Sequence, residues 1–332
     1  MKISFALASD ESWAPKGFVI AFDQFLLPYQ VPALPEKNIS ALPKVKLSER
    51  TDAFIITGDD FSTQFGKKSG ALERYEFQGK QMISSPLIPN FWRPPTDNDK
   101  GRGSDKQLAI WREAGTRRKV TSIKARQVST QLIEITSEAS IPAGNSSLKN
   151  IYKIFGDGEI QVEYYFQASG EIPDIPRIGM QMSVPGEFEN VEWYGRGPEE
   201  TYWDRNSGAA IGIYEMKVDE LFFPYIEPQE SGNRTDTRWV KFTDKDGIGF
   251  LAKGMPTIYF SAWHFKMEEL DKCKHPNEIK RSADITVNLD YRQMGVGGDD
   301  SWGAPVHDEF RLWPGTYSYK FSLSPVCRGS KF

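Results

Sequence analysis

Two cysteines and three histidines in 332 residues leave little room for metal or redox chemistry. Cys273 and Cys327 lie far apart and form neither a CxxC pair nor a ligand cluster, so neither a disulfide framework nor a redox motif is expected. His264, His275 and His307 show no H-x-H or H-E-x-x-H spacing, which removes the usual zinc patterns. No G-x-S-x-G elbow accompanies the serines. The charge is nearly balanced, 41 basic against 45 acidic residues, whereas a nucleic-acid surface needs a concentrated basic excess. No run is long and apolar enough to cross a bilayer, and the N-terminus lacks the basic-then-apolar pattern of a signal peptide. The expectation is a soluble chain with no metal, nucleic-acid or membrane partner; cytoplasm and periplasm both stay open as compartments.

What the chain does have is aromatic residues, 13% of the total, set in short alternating runs separated by Gly, Pro, Asn and Asp. That is the pattern of antiparallel strands. LKNIYKIF and EIQVEYYFQ flank Gly156-Asp157-Gly158 as a hairpin, and FSTQFG and ALERYEFQGK flank KKSG as another. IGMQMSV, RWVKFTD, IGFLA, TIYFSAWHF, DITVNL and TYSYKFSL read as further strands. Helical pattern is scarce: Ser104 is placed to cap SDKQLAIWREAG with Gly115 as its stop, and MEELDKCK suits a short turn or two. No fixed-period repeat appears, which argues against a propeller or solenoid. Residues 31–50 are rich in Pro and Lys without steady alternation and read as a linker. The two strand-like runs before it, residues 1–30, are too few to enclose a core, so they read as the tail of a preceding domain.

Three polar segments invite functional readings. GVGGDDSWG, residues 295–303, sets Asp299, Asp300 and Trp302 among four glycines. Glycines permit close backbone approach, and an indole suits either a sugar face or a core pocket. NFWRPPTDNDKGRG, residues 90–103, crowds Arg93, Asp97, Asn98 and Asp99 around a rigid Pro-Pro pair; it lacks the later ligands of a calcium loop and reads as a structural polar network. EWYGRGPEETYWDRNSG, residues 192–208, carries Arg196 between two glycines and an adjacent Glu199-Glu200 pair. Adjacent residues on an extended strand point opposite ways, so these two glutamates are poorly placed to flank one glycosidic bond. The residues alone supply no self-contained catalytic constellation.

Taken with PYIEPQESGNRTDTRW, these segments resemble the C-terminal β-sandwich of β-galactosidases of glycoside hydrolase family two, and the resemblance runs from about residue 50 to the C-terminus. The resemblance implies a mostly β fold: a large antiparallel two-layer sandwich, or supersandwich, of the galactose mutarotase-like kind over residues 51–332, after the tail strands of an immunoglobulin-like domain. In that family both catalytic glutamates lie in a TIM-barrel domain outside this region, so no catalytic residue and no cofactor is expected in this chain; any magnesium or sodium belongs to the barrel. The family implies that Trp302 stacks on the galactoside or leaving sugar, with Asp299, Asp300, Arg196 and Glu199 as further substrate-binding candidates. Implied partners are a galactoside and the remaining domains or a large subunit, with self-association left open. The chain is expected to be inactive alone. The competing readings are a stand-alone carbohydrate-binding module and an aldose 1-epimerase that would draft His264 or His275 with Glu227.

Overall fold

The computed structural model describes residues 1–30, 37–300 and 303–328. Strands β1 (Lys2–Ala6) and β2 (Val19–Gln24) pair only with each other. A five-stranded antiparallel sheet follows: β3 (Lys46–Glu49), β4 (Ala53–Thr57), β5 (Phe61–Gly66), β6 (Leu72–Phe77) and β7 (Lys80–Gln81). The remaining strands form one sheet of twelve: β8 (Ile88–Asn90), β9 (Lys119–Ser129), β10 (Leu132–Ser140), β11 (Ser147–Phe155), β12 (Ile160–Gln167) and β13 (Arg177–Pro185) come first. It is completed by β14 (Asn190–Gly197), β15 (Ala210–Lys217), β16 (Arg234–Thr243), β17 (Gly249–Trp263), β18 (Asp284–Gln293) and β19 (Thr316–Val326). Helices are short: α1 (Asp97–Gly101), α2 (Ser104–Gln107), α3 (Val218–Leu221) and α4 (Met267–Lys272).

The large sheet folds over itself because β17 serves two arms. Its first half, Gly249 to Met255, pairs with β19 and leads on through β12, β11 and β10 to β9. Its second half, Tyr259 to Trp263, pairs with β18 and leads through β13 to β8. The register against β16 slips between these halves, which lets one strand change direction and feed both layers. The arms face each other: Tyr319 of β19 donates to the Leu289 carbonyl of β18 at 2.9 Å, and the Phe91 and Phe166 rings lie 4.6 Å apart. Alternation fills the space between them. On β10, Ile133, Ile135 and Ala139 are buried while Glu138 and Ser140 face solvent.

The five-stranded sheet closes the far end by packing on β11 and its hairpin. Phe65 lies 5.0 Å from Tyr152, and the buried Tyr75 hydroxyl donates to Gly158 O at 2.7 Å across the gap. The expected hairpins at Gly156–Gly158 and after FSTQFG both occur.

Two expectations need correction. Residues 37–50 are not a free linker: Lys46–Glu49 is a strand, Val45 is buried in the core with its N–H on Thr130 O, and Lys37 bridges Asp157 and Glu159 at 2.7 and 2.6 Å. The prolines hid the two apolar residues, Val45 and Leu47, that seat this segment. Residues 31–36 of the assigned linker lie outside the described residues. Ser104 does not cap a long helix; its hydroxyl bonds to Arg102, and α2 gives way to a tight turn at Ala109–Trp111 that buries Trp111. EWYGRG forms strand β14, where Gly195 lets β16 approach: a Cβ there would meet the Thr237 Cα at 2.9 Å.

Tyr75→Phe removes one buried bond between sheets and is expected to lower unfolding stability by about 1 kcal/mol. Phe65→Ala opens a cavity in the same layer and is expected to cost about 3–5 kcal/mol. Equal losses in urea denaturation would contradict this packing.

Candidate functional site: a glycine-rich loop held by three other segments

The loop that begins at Met294 emerges from the end of β18; backbone bonds from the Met294 N–H to Pro176 O and from the Gly295 N–H to Phe310 O hold its stem, and side chains of three other segments grip it further. Arg93 provides the first grip. Its guanidinium is fully buried, donates to the Met294 carbonyl, and reaches Gly295 O at 2.8 Å. The same fork meets the Asp99 carboxylate at 3.0 to 3.2 Å. Asp99 is held in turn by a capping box at the start of α1: the Thr96 N–H donates to Asp99 Oδ2 at 3.1 Å, and the Asp99 N–H donates to Thr96 Oγ1 at 3.2 Å. Asn98 on the same turn donates to Val296 O at 3.0 Å. The crowded polar run after the prolines is therefore a bracket for the loop.

Asp204 provides the second grip. Its carboxylate accepts from the Val296 N–H at 3.1 Å and the Gly297 N–H at 2.7 Å. A Cβ at Gly295 would sit 2.6 Å from Asp204 Oδ2, so glycine is what lets this carboxylate reach the backbone.

The third grip lies below the stem. Gln293 donates to Glu230 Oε1 at 3.0 Å and to Asn233 Oδ1 at 3.1 Å. Glu230 also meets Arg177 with both oxygens at 3.0 Å, and its N–H donates to Pro94 O. Gln229 exchanges bonds with Asp97 at 3.0 and 3.1 Å. Thr201 and Asn233 exchange further bonds at 2.7 and 2.8 Å. All four polar segments named from the sequence thus join in one network.

Within the network, Arg177 faces two buried carboxylates, Glu230 and Asp290. Asp290 of β18 lies 3.4 Å from Arg177 Nε, with a relative exposure of 0%. Burial pushes its carboxyl up to about 7, against the pull of Arg177 and with a further push from Glu230. Burial likewise raises Glu230. A carboxyl whose folded value is raised gives a protein that loses stability as pH rises from the ordinary carboxylate range towards neutrality.

The sequence-derived site residues fall as follows. Trp302 lies outside the described residues. Asp299 meets His307 Nε2 at 2.7 Å across the loop, and Asp300 Oδ1 accepts from the Ala304 N–H at 3.2 Å. Arg196 is tied to Asp236 at 2.5 Å and to the Asn206 and Ala209 carbonyls at 3.1 and 2.9 Å, so it shapes the 206–209 turn. Glu199 is exposed and lines a groove of about 540 Å³ with Asp204, Arg205 and Asn206, walled on the other side by Lys2 and Phe22. Glu199 shares its groove with Asp204, which holds the loop, while Arg196 on β14 supports the 206–209 turn. Sequence reading passed over Arg177, Asp204, Asp290 and Gln293; only Asp99 carried a signal, the Thr96-x-x-Asp99 capping pattern.

This geometry defines a class: a large antiparallel β-sandwich that projects one anchored polar loop from the end of a central strand. Residues 57–323 match the family model described as β-galactosidase small chain, and the chain belongs to that family. It is 35% identical over 327 residues to a β-galactosidase of Priestia megaterium, covering 98% of this chain and 31% of that protein. With a β-galactosidase of Halalkalibacterium halodurans it shares 36% over 310 residues, 92% of this chain and 30% of that one. The chain therefore spans about a third of the length of these relatives. Among solved structures, galactose 1-epimerase from Lactobacillus acidophilus aligns with 85% of this chain and 98% of its own, at 10% identity and a TM-score of 0.48.

His307 tests the loop's closure. The Asp299 carboxylate raises its ionisation above the ordinary imidazole value, with Glu309 adding to the effect. A raised histidine stabilises the loop below about pH 6.5 and loses that contribution as pH climbs past its folded value. An NMR titration of His307 is expected to move down on Asp299→Asn; an unchanged midpoint would contradict the contact.

Proposed function

We propose that this chain is the substrate-recognition part of a retaining β-galactosidase of glycoside hydrolase family two, which hydrolyses terminal β-D-galactosides through a covalent galactosyl-enzyme. The observation that carries this reading is the triple anchorage of the stem of the 295–303 loop, since a flexible glycine loop needs a fixed base to present a side chain with useful accuracy. In this reading Trp302 stacks on the galactoside or the leaving sugar, Asp299 and Asp300 shape the loop around it, and Glu199 meets a longer substrate in the neighbouring groove. Arg196 acts by holding the wall of that groove.

The acid/base and nucleophilic glutamates, and any magnesium or sodium, belong to a barrel domain or large subunit that this chain completes. Among the described residues no group of three or more His, Cys, Asp or Glu is placed to hold a metal ion. No helix of the described residues is long and apolar enough to cross a membrane.

Residues 1–30 fit the tail of an immunoglobulin-like domain in the complete protein. Phe5, Ile20 and Leu26 are 68, 58 and 100% exposed, and a two-stranded ribbon is marginal without neighbours on its faces. It touches the sandwich through Gln24, whose amide exchanges bonds of 2.8 and 2.6 Å with Ile211 on the edge strand β15.

The epimerase reading finds less support. His264 is surrounded electrostatically by Arg281, Asp219 and Glu189, while Glu227 pairs with Lys100 at 2.6 Å. His275 bonds through its N–H to Glu278, so neither drafted histidine, His264 or His275, has Glu227 among its contacts in the described residues.

The test is hydrolysis of a chromogenic β-galactoside by the chain alone and by the chain mixed with the barrel-containing remainder. Activity is expected only in the mixture. Trp302→Ala and Asp204→Ala should each weaken it, chiefly through KM and by about tenfold or more, the loss of a stacking platform or its support. Saturable hydrolysis by the isolated chain would place the catalytic carboxylates within it and overturn the proposal.

A further inference from the structure

A second cleft, of about 310 Å³, lies between β8 and α4 and shares no lining residue with the Glu199 groove. Its volume falls at the lower edge of the range of small-molecule sites, about 300–1,000 Å³. Two neighbouring residues separate it from the loop: Arg93 turns to the Met294 and Gly295 carbonyls, while Trp92 directs its indole N–H to Asp271.

The cleft is built around that aspartate. Met267 and Asp271 stand four residues apart on α4 and so share a face. Asp271 is only 10% exposed, and its Oδ2 accepts from Trp92 Nε1 at 3.2 Å. The Arg112 guanidinium lies 4.8 Å above the Trp92 ring and 3.8 Å from the same oxygen. Its Oδ1 is buried and has no partner among the described residues. Gln181, beside Met267, commits its amide nitrogen to Asn288 at 2.9 Å, which leaves its oxygen as an acceptor. Ile88, Pro89 and Met267 supply apolar surface between these groups.

We propose that this cleft binds a neutral polyhydroxylated ligand of monosaccharide size. Oδ1 is closed to the cleft, so the acceptors a ligand meets are the exposed edge of the Asp271 carboxylate and the Gln181 oxygen; these call for a ligand that donates through hydroxyls, and the aliphatic surface suits the C–H face of a pyranose ring. Charge narrows the choice. Asp271, Glu113 and Glu268 disfavour an anion, and Arg112 and Lys272 disfavour a cation. Because the ligand would press on Trp92, next in sequence to the arginine that holds the loop stem, the site is also placed to influence the loop. The inference does not rest on the function proposed above.

The test is ligand-observed saturation-transfer NMR on the whole chain with D-galactose and D-glucose. Both are expected to bind, with dissociation constants on the order of millimolar. Asp271→Asn keeps the shape and removes the charge; it should weaken binding by about tenfold or more. Thr116→Trp fills the cleft from its exposed rim and should abolish the signal, and it decides the matter if Asp271→Asn fails to fold. Transfer should persist in Trp302→Ala, which separates this cleft from the loop. No transfer from either sugar, or transfer undiminished by Thr116→Trp, would overturn the proposal.

Discussion

One buried guanidinium holds the functional end of this molecule together. Arg93 comes from the segment after β8, and it joins the first turn of α1 to the last residues of the β18 stem. Its hydrogen bonds are made to a carboxylate and two carbonyls that are fixed by other elements. A buried charge left without such partners is expensive, so removing Asp99 would harm the structure more than the net worth of the pair suggests. Lysine would not replace it, because a single ammonium cannot span the Asp99 oxygens and the two carbonyls at once.

From that bracket the rest of the arrangement follows. The stem is rigid because its Val296 and Gly297 N–H groups end on Asp204, its Met294 and Gly295 N–H groups on the Pro176 and Phe310 carbonyls, and its own carbonyls on Arg93 and Asn98. Among the described residues beyond it, Asp299 meets His307 and Asp300 accepts from the Ala304 N–H. A fixed base is what a loop that presents a side chain needs, since ordering a long loop on contact with a ligand would consume binding free energy. The sandwich beneath supplies the fixed frame, and β17 allows both layers to end beneath the same loop.

Much of the fold was legible from the sequence because alternation survives wherever one face of a strand meets the core. The hairpin at Gly156–Gly158 is the plainest case: a glycine turn between two alternating runs. Legibility failed where a local signal competed with tertiary packing. The glycines of EWYGRG look like a loop, yet they are there to let β14 and β16 come close. Prolines around Lys44 suggest a linker, yet Val45 and Leu47 pack into the core. At the site, the four segments could be named but not connected. Arg177, Asp290 and Gln293 sit in ordinary strand sequence, and their polar side chains face inward only because the other arm of the sheet brings partners to them. No local pattern marks a residue whose partner lies in a distant strand.

The most direct test of the anchoring account is amide hydrogen exchange in Arg93→Met. The account predicts that the Val296 and Gly297 amides, protected by Asp204 in the native chain, lose protection while those of β11 and β12 keep theirs. Uniform loss across the sandwich, or unchanged protection of the two loop amides, would contradict the claim that Arg93 fixes the loop stem.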